Sequence, residues 1–335
     1  MARMRQIRTD FFHRSWRGEL TPYNLAFKNL HPQLLNQSLP SKRKDKKKII
    51  DLVIMETISD KREMSTYIIE PRKGWIPVDL KELFRFRELL YFLAWRDIKL
   101  RYKQTVLGAG WAIIQPLFTM VIFTLFFGQI AKIPSDGVPY PIFSYSGLIL
   151  WVYFANAITF AGTSMVTSSN LISEVYFPRL IVPTSATLFG LVDYLMAFIV
   201  MGLLMVYYQF TPGISIILLP VILFMTWMLA AGVAYWLSAL NVKYRDIGYI
   251  IPFFIQLWLF ATPVIYPSSM VSGNYGWLLS LNPMSGLIET HRHAILGYMD
   301  INLISLGISM VGIVLIFLSG MFYFKRVERY FADII

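Results

Sequence analysis

Apolar residues in this chain come in long runs, and the longest all follow residue 110. Six runs, at 111–130, 142–162, 180–208, 214–240, 249–265 and 301–324, predict membrane-crossing helices. Crossing hydrocarbon takes about 20 predominantly apolar residues at 1.5 Å rise each. The runs are continuous rather than alternating, which excludes the strands of a membrane barrel. Pro116, Pro183, Gly190, Gly202, Gly232 and Pro252 fall inside them, as membrane helices tolerate.

Before the first run, residues 80–103 predict an amphipathic helix lying at the membrane interface. At 100° per residue, Arg85, Glu88, Arg96, Lys99 and Lys103 share one face, and Leu83, Phe86, Leu90, Leu93 and Ala94 gather opposite. A basic face over an apolar one marks an in-plane helix. Arg87, Asp97 and Arg101 break the pattern, so the helix is expected to bend or to be partly enclosed by protein. Residues 1–63 are polar and irregular and read as a disordered extension. Residues 64–108 read as a cytoplasmic segment carrying the interface helix, and 109–335 as the six-span body. No signal peptide is visible, so the first span is expected to act as its own uncleaved signal.

Charge adds direction. All of the net +11 lies before Gln104, and the rest of the chain holds 8 charges of each sign. An even number of spans puts both termini on one side. That side collects the basic N-terminus, Arg179, Lys243, Arg245, Lys325, Arg326 and Arg329, and the other holds only Lys132 and Arg292. Lys and Arg concentrate on the cytoplasmic side, so both termini are expected there. The run Lys42–Lys48 contains no aromatic group on which bases could stack, and reads as a solvated block near anionic lipid rather than a nucleic-acid site.

Several chemistries are excluded. There is no cysteine, and so no disulfide or thiolate site. A GxxxxGK[ST] loop and a GxSxG elbow are both missing, which removes ATP hydrolysis by the P-loop route and serine hydrolase chemistry. His291-Arg292-His293 aims its two imidazoles at different helix faces and reads as a polar external loop, not a metal site. No catalytic residue and no metal ligand is expected.

Three features call for a function. Asp193 is an acid deep inside a span, where it costs roughly 2.5–3.5 kcal/mol. It must face other helices or a wet cavity, either as a functional group or as the acceptor of a hydrogen bond from Ser, Thr or Tyr. The short cytoplasmic connection 165–179 holds Asn170 and Glu174 beside Tyr176, Phe177 and Arg179, and reads as a plain loop or a partner-contact site. The outward segment 263–300 is too long and apolar for a simple loop. Its breaks at Pro267, Gly273, Asn282 and Pro283 predict backbone that dips back into the membrane as an outer gate. Aromatic residues are abundant and read as interfacial belts, some with the option of stacking on sugars.

Residues 88–117 (ELLYFLAWRDIKLRYKQTVLGAGWAIIQPL) resemble the opening of ABC-2 type permeases that export lipid-linked polysaccharides such as O-antigen, capsule and teichoic acid. Supporting matches are EVYFPR at 174–179, NVKYRD at 241–246, TPVIYP at 262–267 and LNP at 281–283. The likeness covers about residues 67–335, so Met64 is an expected alternative start; N-terminal sequencing that finds Met1 refutes it. The resemblance implies an all-α body of six spans that pairs with a second copy of itself. A separate ATPase subunit would bring ATP and Mg, and this chain would hold no cofactor. Asn170, Glu174, Tyr176, Phe177 and Arg179 would rest on the ATPase. Arg85, Arg87, Arg96, Lys99, Arg101 and Lys103 would meet a lipid pyrophosphate. Tyr266, Trp277, Asn282, Pro283 and Arg292 would belong to paired, re-entrant outer gate helices before the last span. The place would be the plasma (bacterial inner) membrane.

Rival expectations are an ABC-2 exporter of small molecules or drugs, an ion-coupled secondary transporter, and a membrane enzyme acting on lipid-linked sugars. Inverted repeats, paired intramembrane charges or clustered acids would favour the latter two, and none is seen.

Overall fold

The computed structural model describes residues 80–103, 108, 110–271, 276–297 and 303–331. All of them fall in one compact unit, Arg72–Ile335. The extension 1–63, the Lys42–Lys48 run and Met64 lie outside the described residues.

The described chain is helical, with no strand among the described residues. Helix α1 (Leu80–Arg85) turns at Phe86 into α2 (Arg87–Lys103). Helix α3 (Gly110–Phe123) runs on as a π-helix over Thr124–Ile130. The long α4 (Tyr140–Thr167) is followed by the short α5 (Ser169–Glu174). Next come α6 (Ile181–Leu188) and α7 (Gly190–Tyr207), which together make one span interrupted at Phe189. A 3-10 turn at Ile214–Leu218 leads into α8 (Leu219–Lys243), and α9 (Ile247–Phe260) follows. Then come α10 (Gly276–Leu281), α11 (Pro283–Leu296) and α12 (Leu303–Val327), with a closing 3-10 turn at Glu328–Tyr330.

Five of these stretches are long and apolar enough to cross a membrane: Gly110–Ile130, Tyr140–Thr167, Ile181–Tyr207, Ile214–Lys243 and Leu303–Val327. The expected fifth span of six, at 249–265, differs. Its helix α9 holds 14 residues, or about 21 Å at 1.5 Å each, against roughly 30 Å of hydrocarbon. The apolar run continues past Phe260, but the helix stops shortly before Pro263, whose ring cannot continue it.

Helices α4 and α8 form the centre, and α12 packs along α8. Gly232 and Gly320 bring α8 and α12 together: a Cβ on Gly232 would lie 2.7 Å from the Phe317 Cα, and one on Gly320 would strike the Gly232 carbonyl. Small residues let membrane helices approach this closely. One apolar core surrounds α4, and a second gathers Leu93, Ile172, Phe177, Leu180, Tyr235, Phe324 and Phe331.

Helix α2 departs from simple amphipathicity. Leu93 is buried and the helix packs on α6, yet Tyr91, Phe92 and Trp95 stay exposed. The His291-Arg292-His293 triplet is not an external loop: it lies within α11, where His291 and Arg292 are wholly buried.

Candidate functional site

The connection after α4 is built as a stem and a tip. Asn170, Glu174, Val175 and Tyr176 are exposed, and Tyr176 is 89% accessible. Phe177 is only 5% accessible and enters the second core beside Leu180 and Phe331. Arg179 is held by the far end of the chain. Its amide donates to the Glu328 carboxylate at 3.2 Å, and its guanidinium donates to the Glu328 carbonyl at 2.9 Å. The five residues expected at this site thus divide: Asn170, Glu174 and Tyr176 face outward, while Phe177 and Arg179 fasten the loop.

The six basic residues expected on the interface helix also divide. Arg85, Arg87, Lys99 and Lys103 are exposed. Arg87 sits 4.8 Å over the Phe84 ring and Lys99 5.5 Å over Trp95, which stacks on Tyr91. Arg96 pairs with its neighbour Asp97 at 2.8 Å. Arg101 turns inward, 3.1 Å from a carboxylate oxygen of Asp193, while the Tyr102 hydroxyl donates to the other oxygen. Asp193 is 4% accessible. It therefore has both a tyrosine donor and a cation, and both come from α2. The sequence marked Arg101 as a break in the wheel pattern, and its expected place among the lipid-facing basic residues is corrected: its guanidinium is taken up by Asp193.

Most carbonyls of the turn after α9 are satisfied by side chains. Four carbonyls between Ala261 and Ile265 receive donors from other elements. Asn282 reaches Ala261 at 3.2 Å, Arg292 reaches Pro263 and Val264 at 2.6 Å each, and Tyr140 reaches Ile265 at 2.7 Å. Non-helical backbone at membrane depth is tolerated only where protein satisfies it. Asn282 also caps α11 by accepting from the Met284 amide, and accepts from the Trp258 indole. Pro283 follows at the first helical position, where its missing N–H costs nothing. Arg292 is 1% accessible and lies 3.8 Å over the Phe143 ring, packed against Gly147. Tyr266 donates to the Phe260 carbonyl at 3.2 Å, and burial raises its phenol pKa. Trp277 is exposed on α10, beside a groove of about 560 Å³ lined by Trp258, Leu278, Leu281 and Pro283. Tyr140 and Trp258 belong to this turn although sequence reasoning did not single them out for it; their polar atoms amid apolar runs were the available signal.

His291 meets the Tyr194 hydroxyl at 2.7 Å and His293 meets Ser215 at 3.2 Å, so the two imidazoles serve different neighbours. No three His, Asp or Glu side chains converge as metal ligands would, among the described residues.

Known proteins are similar to this chain in sequence. It is 29% identical over 216 residues to the O-antigen export system permease protein RfbA of Myxococcus xanthus, covering 64% of this chain and 82% of that one. It is 27% identical over 250 residues to RfbA of Klebsiella pneumoniae, covering 74% and 95%. The polysialic acid transport protein KpsM of Escherichia coli is 21% identical over 244 residues, covering 70% and 91%. The family pattern described as ABC-2 type transporter matches residues 88–296, which takes in the interface helix, the loop tip and the capped turn. The chain belongs to the ABC-2 type transporter family.

Proposed function

We propose that this protein is the permease subunit of an ABC exporter that moves a lipid-linked polysaccharide of O-antigen, capsule or teichoic-acid type across the plasma membrane. ATP hydrolysis in a separate subunit, which carries the Mg-bound nucleotide, drives it. Two copies of the permease pair, and each rests on one ATPase. The termini and the Glu174 loop face the cytoplasm. The names of the relatives support the substrate class.

One observation carries the coupling role: an exposed Glu174–Tyr176 tip stands on a stem fixed by Phe177 and Arg179. A loop anchored this way passes a push on its tip to α6, which begins at Ile181. The exposed Arg85, Arg87, Lys99 and Lys103 would attract a lipid pyrophosphate, over a range screened to about 8 Å at physiological salt. The turn after α9 and helices α10 and α11 would form the outer gate. Any shift between closed and open states can be no larger than the ATPase's differential affinity for them.

Reconstitution tests this reading. Purified permease with its co-purifying P-loop ATPase should move a lipid-linked glycan only when ATP is hydrolysed. Transport without a nucleotide-hydrolysing companion, or topology tags that place Glu174 outside, would overturn it.

A further inference from the structure

The third span is interrupted at Phe189, between α6 and α7. Two elements bear on the helix that ends at that break. The loop stem leads directly into α6, and α2 packs along it. At the end of α2, the Arg101 guanidinium lies 5.1 Å over Phe160 and 5.3 Å over Phe189, and these two rings meet edge to face at 4.9 Å. The same guanidinium faces Asp193, one turn beyond the break, and Tyr102 donates to that carboxylate. Gly190 lets Tyr153 of α4 close in on the break: a Cβ there would sit 3.2 Å from the Tyr153 ring. Beside this cluster is a cavity of about 10 Å³ bordered by Arg101, Gln115, Tyr153, Asn156 and Asp193. The Tyr153 hydroxyl and Arg101 Nη1 are buried without a hydrogen-bond partner among the described residues. A space of this size, on the order of one water, with several polar neighbours suits a bridging water.

We infer that Arg101 and Asp193 are positioning residues that tie the interface helix to the break in the third span, so that α2 and α7 move together. Three features carry the argument. Asp193 is buried and Arg101 is partly so, and solvent screens such a pair less than one on the surface. Arg101 holds the break itself, through Phe189, and the helix beyond it, through Asp193. The cluster is a small set of discrete contacts beside an irregular point, which is where helices bend. That the motion is driven by ATP rests on the proposed function; the tie itself does not.

The chain holds no cysteine, so Tyr91→Cys and Leu203→Cys, both at exposed positions on α2 and α7, can carry spin labels. The label distance is measured in the full chain, with and without Arg101→Met/Asp193→Leu. This double change removes both charges and leaves neither buried alone. We expect the distance distribution to broaden about twofold, and export in cells to fall about tenfold at normal membrane abundance, the size of an ordinary coupling energy. An unchanged distribution overturns the tie, and full export overturns its role. Should the double variant not accumulate, Asp193→Asn carries the same readouts. If no ATPase partners the chain, the distance measurement still decides the tie.

Discussion

Arg179 and Glu328 hold each other at two points although 149 residues separate them. Glu328 is also paired with Lys325 at 2.7 Å, so the loop before the third span is fastened to the end of the last one. The tip and its fastening should therefore fail differently. Tyr176→Ala removes an exposed ring and should change stability by no more than about 0.5 kcal/mol. It should weaken ATPase capture by about tenfold or more, as loss of an aromatic anchor does. Pull-down and a thermal melt on the same preparation check both.

Glu328→Ala should act on the fastening. The loop loses an acceptor for the Arg179 amide, and coupled ATPase activity and export should fall while insertion stays intact. Capture of the ATPase should survive better than in Tyr176→Ala, since the tip residues remain. Equal loss of capture in both variants would deny the division into stem and tip.

Arg292 alone serves two of the four carbonyls in the turn after α9. Arg292→Met removes the donors to the Pro263 and Val264 carbonyls, and each buried orphan costs about 1–3 kcal/mol. A large fall in melting temperature and early proteolysis near residues 261–267 are expected. Arg292→Lys should recover only part of this, because one ammonium cannot copy a planar fork reaching two acceptors.

Asn282 allows a graded test. Asn282→Asp keeps the acceptor for the Met284 amide and the Trp258 indole but loses the donors to Ala261 and Thr262. Asn282→Ala loses all four contacts, a cap alone being worth about 0.5–2 kcal/mol. Stability in detergent should rank wild type above Asp and Asp above Ala.

Glycines separate close packing from open surface. Gly320→Val drives a side chain into the Gly232 carbonyl and should cost at least about 1–3 kcal/mol. Gly202 has nothing within 4 Å of a built Cβ, so Gly202→Ala should be neutral or stabilise by up to about 1 kcal/mol. Paired melts compare them directly.

Hydropathy showed where the chain is apolar, and so located the long spans to within a few residues at most ends. It could not show where a helix stops inside an apolar run, which is why α9 is shorter than its segment. Charge was harder to read. A lone Arg292 between two histidines looks like a loop in one dimension, because its carbonyl partners lie 28 and 29 residues away. Asp193 announced its need for a partner, but that partner lies about 90 positions earlier, on a helix whose basic residues the family resemblance assigned to lipid. The wheel did register Arg101 as out of place. The exposed tip at Tyr176 was legible from composition, whereas its fastening by Glu328 needed the fold.

The capped turn after α9 also limits how this region can change length. Its four acceptors are spaced to match donors on three separate elements, so adding or deleting one residue between Ala261 and Ile265 would misalign several contacts at once. Variation in size is then expected to collect between Pro267 and Asn282, where no such grid fixes the spacing among the described residues.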